Sequence, residues 1–291
     1  MTIENQYNMR ITATFVLSIF LSLAGNAQSR DTIRLWPGNV PGETGAKHAP
    51  VQTPNRSGDV IRLTDVTDPA IVVFKPKDSA NNGAGIIVCP GGGYNILAID
   101  KEGYEVAEWF NKLGFTAFVL QYRVPNKQKE ALFDIQRATR MIRSRASEWG
   151  LNPNMLGVIG FSAGGSLSAR ASTRFASESY ARVDGLDDLS CRPDFAMLIY
   201  PAYLDKGENR SLTPELLVGS NTPPMFIFAT ADDTHGNSSL VMAAALRDNK
   251  IPVELHLISV GGHGYGLRQG NTAAETWPHL AEIWLKKMIL K

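Results

Sequence analysis

Ser162 stands in Gly160-Phe161-Ser162-Ala163-Gly164, directly after the apolar run MLGVI (155–159) and directly before the helical pattern SLSARAS. A serine placed on a sharp strand-to-helix turn is forced into a strained backbone conformation, and its hydroxyl projects above the sheet. There it faces a helix N-terminus, whose free N–H groups and dipole favour a developing negative charge. A hydroxyl is a weak nucleophile at neutral pH and needs a base, which in turn needs an orienting carboxylate. Five histidines are available. His48 lies in an early loop, His256 inside a strand pattern, and His279 beside Pro278 in the terminal helix, positions that suit surface or core roles. His263 lies in Gly261-Gly262-His263-Gly264-Tyr265-Gly266, just past the run VELHLI (253–258), where an imidazole can swing over the edge of a sheet. It is preferred over His235 as the base. For the acid, Asp232 and Asp233 follow the run MFIFA (225–229). Neighbouring carboxylates in a turn commonly point to different sides, so one is expected to orient His263 and the other to cap the turn. Asp232 is assigned the catalytic part.

The second motif is Cys89-Pro90-Gly91-Gly92-Gly93-Tyr94, again at a strand end. Consecutive glycines allow a path that turns backbone N–H groups toward an anion. A phosphate cradle would need the Lys-Ser/Thr ending that is missing here. The expected oxyanion hole therefore joins an N–H from Gly92 or Gly93 to that of Ala163. These parts suffice for two-step acyl transfer, and they call for no metal and no organic cofactor.

Such groups need a scaffold whose strand ends lie side by side. Short apolar runs at 71–74, 85–88, 116–121, 155–159, 195–200, 225–229 and 253–258 read as strands. Several are almost continuously hydrophobic, which suits strands buried on both faces of a parallel sheet. Segments 104–113, 129–149, 163–173, 238–249 and 276–290 show helical spacing between and after them. The pattern predicts an α/β fold, a doubly wound, mostly parallel sheet flanked by helices, with the site beyond the carboxyl ends of the strands. The Pro-, Gly- and Thr-rich stretch 37–59 is expected to be loop over the rim of the sheet.

The 291 residues carry 29 Lys plus Arg against 28 Asp plus Glu, interspersed without blocks, which gives no reason to expect nucleic acid or an acidic polymer as partner. Cys89 and Cys191 are too few for a disulfide framework and have no metal-ligand spacing. Residues 11–25 form an uncharged, largely apolar run after Arg10, and Gly25 and Ala27 offer small residues at a cleavage site. Residues 1–27 are expected to be a signal peptide, Met9-Arg10 giving an alternative start, and 28–291 a single domain exported to the periplasm or cell exterior. The run is short for a membrane anchor, so no membrane association is expected after cleavage.

PGGGY, EGYEVAEWFNKLGFTAFVLQYRVP, RSRASEWGLNPNMLGVIGFSAGG, RPDFAMLIYP, ATADD and GGHGYGL, in that order from about Arg34 to the C-terminus, resemble the bacterial acetylxylan-esterase-like branch of the α/β-hydrolase superfamily. The resemblance implies a serine esterase that removes acetyl or other small acyl groups from the hydroxyls of plant cell-wall sugars. It also implies catalytic positions matched here by Ser162, Asp232 and His263, in the chain order of that superfamily. An acylated carbohydrate is then the expected partner, with Tyr94 and Tyr265 as candidates to stack on a sugar ring. Related peptidases share the TADD and GHG signatures, so a peptidase or lactone hydrolase with the same residues is the alternative, and a catalytically silent carbohydrate-binding scaffold a more distant one. Relatives often carry Val-Pro after the acidic turn, where this chain has Thr234-His235-Gly236-Asn237.

Overall fold

The computed structural model describes residues 31–177 and 179–290, so the expected signal peptide lies outside the described residues. An eight-stranded sheet has the order β1-β4-β7-β5-β8-β9-β10-β11, where β1 is Thr32–Arg34, β4 Ala70–Phe74, β5 Gly85–Cys89 and β7 Thr116–Gln121. The remaining strands are β8 Leu156–Phe161, β9 Phe195–Ile199, β10 Met225–Thr230 and β11 Val253–Ile258. From β7 to β11 every neighbouring pair is parallel, while β4 and β1 join antiparallel. Three short strands, β2 (Val51–Gln52), β3 (Arg62–Thr64) and β6 (Leu97–Ala98), form a separate antiparallel sheet.

The central strands are apolar on both faces because both faces are covered. On one face Ile87, Cys89, Val158 and Leu198 pack with residues of α2 (Gln128–Ser144), α3 (Ala163–Thr173) and α4 (Gly236–Asp248). On the other, Ile86, Val88, Ile159, Met197 and Phe228 pack with α1 (Glu105–Lys112) and α5 (Thr272–Met288). This is the doubly wound arrangement that the alternating runs predict. Among the described residues no helix is long and apolar enough to cross a membrane. Cys89 and Cys191 are both free and buried.

The fully buried Arg123–Asp134 pair fixes the end of β7 to α2 and to the N-terminal segment. Arg123 donates to Asp134 from its backbone N–H and its guanidinium, and to the carbonyls of Pro41 and Glu130. Trp36 adds its indole N–H to Asp134 Oδ1 at 3.1 Å. A buried pair with its hydrogen bonds made is tolerable, whereas removing one partner strands a charge at a cost of about 3–5 kcal/mol. The stretch 37–59, expected as plain loop, supplies β2 and a 3-10 turn at Ser57–Asp59 that walls the cleft described next.

Candidate active site

Strand register brings the chemistry together. Cys89 of β5 pairs with Gly160 of β8, and Phe161 with Ile199 of β9, so the segments after these strands leave the carboxyl edge side by side. Ser162 follows β8 directly with φ 54° and ψ −117°, a left-handed conformation costly to a non-glycine residue, and it caps the N-terminus of α3. The turn survives because it is held on both sides: Ser162 N–H donates to the Ile199 carbonyl, and the Ser162 carbonyl accepts from Ser166 and Ala202. Gly164 is required by close approach, since a Cβ there would fall on the Cys89 carbonyl oxygen.

His263 Nε2 lies 2.7 Å from Ser162 Oγ, and its Nδ1 lies 2.7 Å from Asp233 Oδ2. The hydrogen bonds assign the tautomer: Nδ1–H donates to Asp233, leaving Nε2 to accept the serine proton. The expectation that Asp232 orients His263 is therefore corrected to Asp233. Strand β10 continues through Thr230, one residue past the predicted end at 229, which moves the turn and exchanges the two aspartates. The Asp233 side chain is fully buried, and its second oxygen accepts the His235 N–H at 2.8 Å. Asp232 points the other way and accepts the N–H groups of Gly262 and Gly261 at 2.9 and 3.2 Å. Those bonds, that of Gly262 foremost, hold its carboxyl below the ordinary carboxylate range and shape the loop that carries His263.

Gly92 and Gly93 line the same cleft as Ser162 and His263, and no acceptor among the described residues takes their N–H groups. Both have positive φ, and a Cβ on Gly92 would run into the Ile96 carbonyl. Ala163 opens α3, where the first N–H groups of a helix have no partner within it. Gly92 and Gly93 thus offer free N–H groups to the cleft that holds Ser162 and His263, and Ala163 follows the serine directly.

Tyr94 and Tyr265 are 1% and 4% exposed, so neither can stack on a ligand. Tyr94 packs against Tyr122 and Tyr203, and Tyr265 against Tyr200 and Phe228. Their expected substrate contact is corrected to a packing role. Burial raises the Tyr94 hydroxyl to about 12 and the Tyr265 hydroxyl further, as it must where a phenolate would lose its water.

Two further residues, Glu102 and Tyr200, belong to the site without having been singled out in the sequence. Glu102 sits in a π-helical turn, Asp100–Tyr104, a distortion often found at functional sites. Its Oε2 accepts the Gly91 N–H at 2.7 Å and its Oε1 the Tyr200 hydroxyl at 2.9 Å, while Tyr200 in turn accepts the Gly266 N–H at 2.9 Å. One buried carboxyl therefore ties the glycine loop of the oxyanion site to the loop of the base. Burial pushes this carboxyl up, against the bonds from Tyr200 and Gly91 that pull it down. His235, passed over as the base, also lies at the site, with its ring centroid 5.0 Å from that of His263. Burial and the neighbouring imidazole lower its basicity, which keeps it neutral beside a base that must become charged. Nothing local distinguishes Glu102 or Tyr200 in the sequence.

The cleft has a volume of about 500 Å³, and its far wall is formed by Ser57, Gly58, Val60 and Arg62. A nucleophile, an oriented base and free N–H donors at the mouth of such a cleft can form and hydrolyse an acyl-enzyme. Among the described residues no group of three His, Cys, Asp or Glu is placed to hold a metal ion.

The BD-FAE family model matches residues 71–188. The chain is 32% identical to the acetyl ester-xyloside bifunctional hydrolase of Caldicellulosiruptor lactoaceticus, a match covering 88% of this chain and 96% of that one with a TM-score of 0.73. It is 30% identical over 235 residues to an acetylxylan esterase of Xylanibacter ruminicola, covering 71% of this chain but only 45% of that protein, so it spans less than half the length of that relative. An α/β-hydrolase enzyme from a Medee basin deep-sea metagenome library is 29% identical, covering 83% of this chain and 98% of its own, with a TM-score of 0.62.

Proposed function

The chain belongs to the BD-FAE family of α/β-hydrolase esterases, and from that premise we propose that it hydrolyses acetyl or other short acyl esters on plant cell-wall sugars through an acyl-enzyme at Ser162. The observation that carries the reading is the unbroken chain of hydrogen bonds from Ser162 through His263 to Asp233, opening on a cleft beside unpaired backbone N–H groups. In the first step His263 Nε2 takes the Ser162 proton as Oγ bonds to the ester carbon, and the carbonyl oxygen becomes an oxyanion facing Gly92, Gly93 and Ala163. The imidazolium, stabilised by Asp233, then gives its proton to the departing sugar oxygen as the carbon–oxygen bond breaks. Water repeats the sequence on the acyl-enzyme: His263 takes its proton, hydroxide adds, and the serine leaves reprotonated with release of the acid. The similarity to the acetylxylan esterase of X. ruminicola and the acetyl ester-xyloside bifunctional hydrolase of C. lactoaceticus supports an acetylated xylan-like substrate. Export ahead of residue 28 is part of the proposal, since such polymers are met outside the cytoplasm.

The test is a panel of acetylated xylo-oligosaccharides, acetyl and octanoyl 4-nitrophenyl esters, and aminoacyl amides. A short acyl site closed by the glycine loop should favour acetyl over octanoyl by at least roughly tenfold in kcat/KM, equivalent to about 1.4 kcal/mol. Preference for octanoyl esters, or cleavage of the amides with the acetylated sugars untouched, would overturn the carbohydrate reading.

A further inference from the structure

The cleft is lined by two cations, Arg62 and Lys101, that have no ion pair among the described residues. Arg62 directs its guanidinium only to neutral oxygens: the carbonyls of Asn55, Val60 and Ser57 at 3.1, 3.1 and 2.9 Å, and the Ser57 hydroxyl at 3.3 Å. Lys101 lays its side-chain carbons against Gly266 and has no ion pair among the described residues. For an arginine this is unusual in the molecule. Apart from Arg56, which immediately precedes the same wall, every other described arginine lies within ion-pair distance of a carboxylate. The one carboxyl lining the cleft, Glu102, is buried behind it with both oxygens engaged by Gly91 and Tyr200. Asp100, next to Lys101, is taken by Arg268 and by the Ile61 N–H.

We propose that Arg62 and Lys101 form a subsite for a carboxylate carried by the substrate close to the scissile ester. The inference rests on the esterase reading of Ser162 and deepens it. Two positive charges line one cavity, Arg62 with its Nε–H and Lys101 with its ammonium still open among the described residues, and together they favour an anion there, by charge-assisted bonds worth more than neutral ones. Arg62 is already immobilised by four bonds to its own loop, so little side-chain entropy is lost when it meets a ligand. The carboxylate can come from either side of the ester: a uronic acid on the sugar part, or a dicarboxylic acyl group.

Two matched pairs of substrates separate these sources: acetylated xylo-oligosaccharides with and without a uronosyl branch, and 4-nitrophenyl hemisuccinate against 4-nitrophenyl acetate. At low ionic strength the acidic member of at least one pair should lead in kcat/KM by on the order of tenfold. That lead should shrink several-fold by about 0.3 M salt, fall in Lys101→Gln, and reverse in Lys101→Glu. Arg62→Lys, which keeps the charge, should retain more of it than Arg62→Gln. Acid-to-neutral ratios at or below one in both pairs, or ratios unmoved by salt and by Lys101→Glu, overturn the subsite. Failure of the sugar esters alone, with the hemisuccinate preference present, leaves the subsite standing and removes only the carbohydrate assignment.

Discussion

On one side of the cleft, Ser162, Asp233 and His263 ride on turns that leave one edge of the sheet after β8, β10 and β11, and each turn is pinned by bonds to the sheet or to a neighbouring turn. On the other, residues 57–62 ride on a 3-10 turn and the rim of the three-stranded sheet, held by two guanidinium groups. Arg62 holds the Ser57 carbonyl, and Arg268 holds those of Gly58 and Asp59 while pairing with Glu105 and Asp100. The reacting groups are placed by strand register, which tolerates no slip, because a shift of one residue turns every side chain to the opposite face. The recognition wall is placed by long side chains at the surface, which can be exchanged without moving the sheet. A fold built in this way can change what it accepts while keeping what it does.

The comparison breaks first if the sheet-edge wall is dispensable. Ser162→Ala and His263→Ala should each lose on the order of a million-fold in kcat with an unchanged circular dichroism spectrum, the scale at which such residues act as a unit in other serine hydrolases. Near-wild-type turnover in either folded variant would remove the mechanism.

The two aspartates sharpen it. Asp233→Asn should cost roughly ten-thousandfold in kcat by presenting the wrong imidazole tautomer, and Asp232→Asn about tenfold or less, since only the bonds that shape residues 261–262 are weakened. Stopped-assay kinetics on the two purified variants would rank them, and the opposite ranking would return the acid to Asp232.

The smallest effect belongs to the recognition wall. Arg268→Ala removes partly exposed ion pairs, each worth little. Its consequence is a looser 57–59 turn, expected as a KM raised roughly two- to fivefold for oligosaccharide esters with kcat changed by less than about twofold. Equal losses in kcat and kcat/KM would show that this wall also serves the transition state.

The predicted bounds 116–121, 163–173 and 253–258 are those of β7, α3 and β11, whereas 225–229, 238–249 and 276–290 miss an end of β10, α4 and α5. Ser162, His263 and the glycine loop were legible because their chemistry demands a particular backbone, and such demands leave glycines behind. The acid was misplaced by one residue because strand ends are set by pairing across the sheet, here Thr230 with Ile258, a partner nearly thirty residues away. The two- and three-residue strands β2, β3 and β6 are too short to show a period. Tyr94 and Tyr265 look like any loop aromatics until the neighbours that bury them are known, and Glu102 looks like any helix-start acid until Gly91 and Tyr200 close over it.

The indole N–H of Trp277 in α5 donates to the Gly266 carbonyl at 2.8 Å, so the loop bearing the base is anchored by a helix that follows it in the chain. Followed along the ribosome, this anchor sets an order of assembly. The serine is made 101 residues ahead of its histidine, and the helix that steadies the histidine is made after both. A nascent chain therefore carries its nucleophile through 101 further residues without a base to activate it, and the base is steadied only when α5 docks.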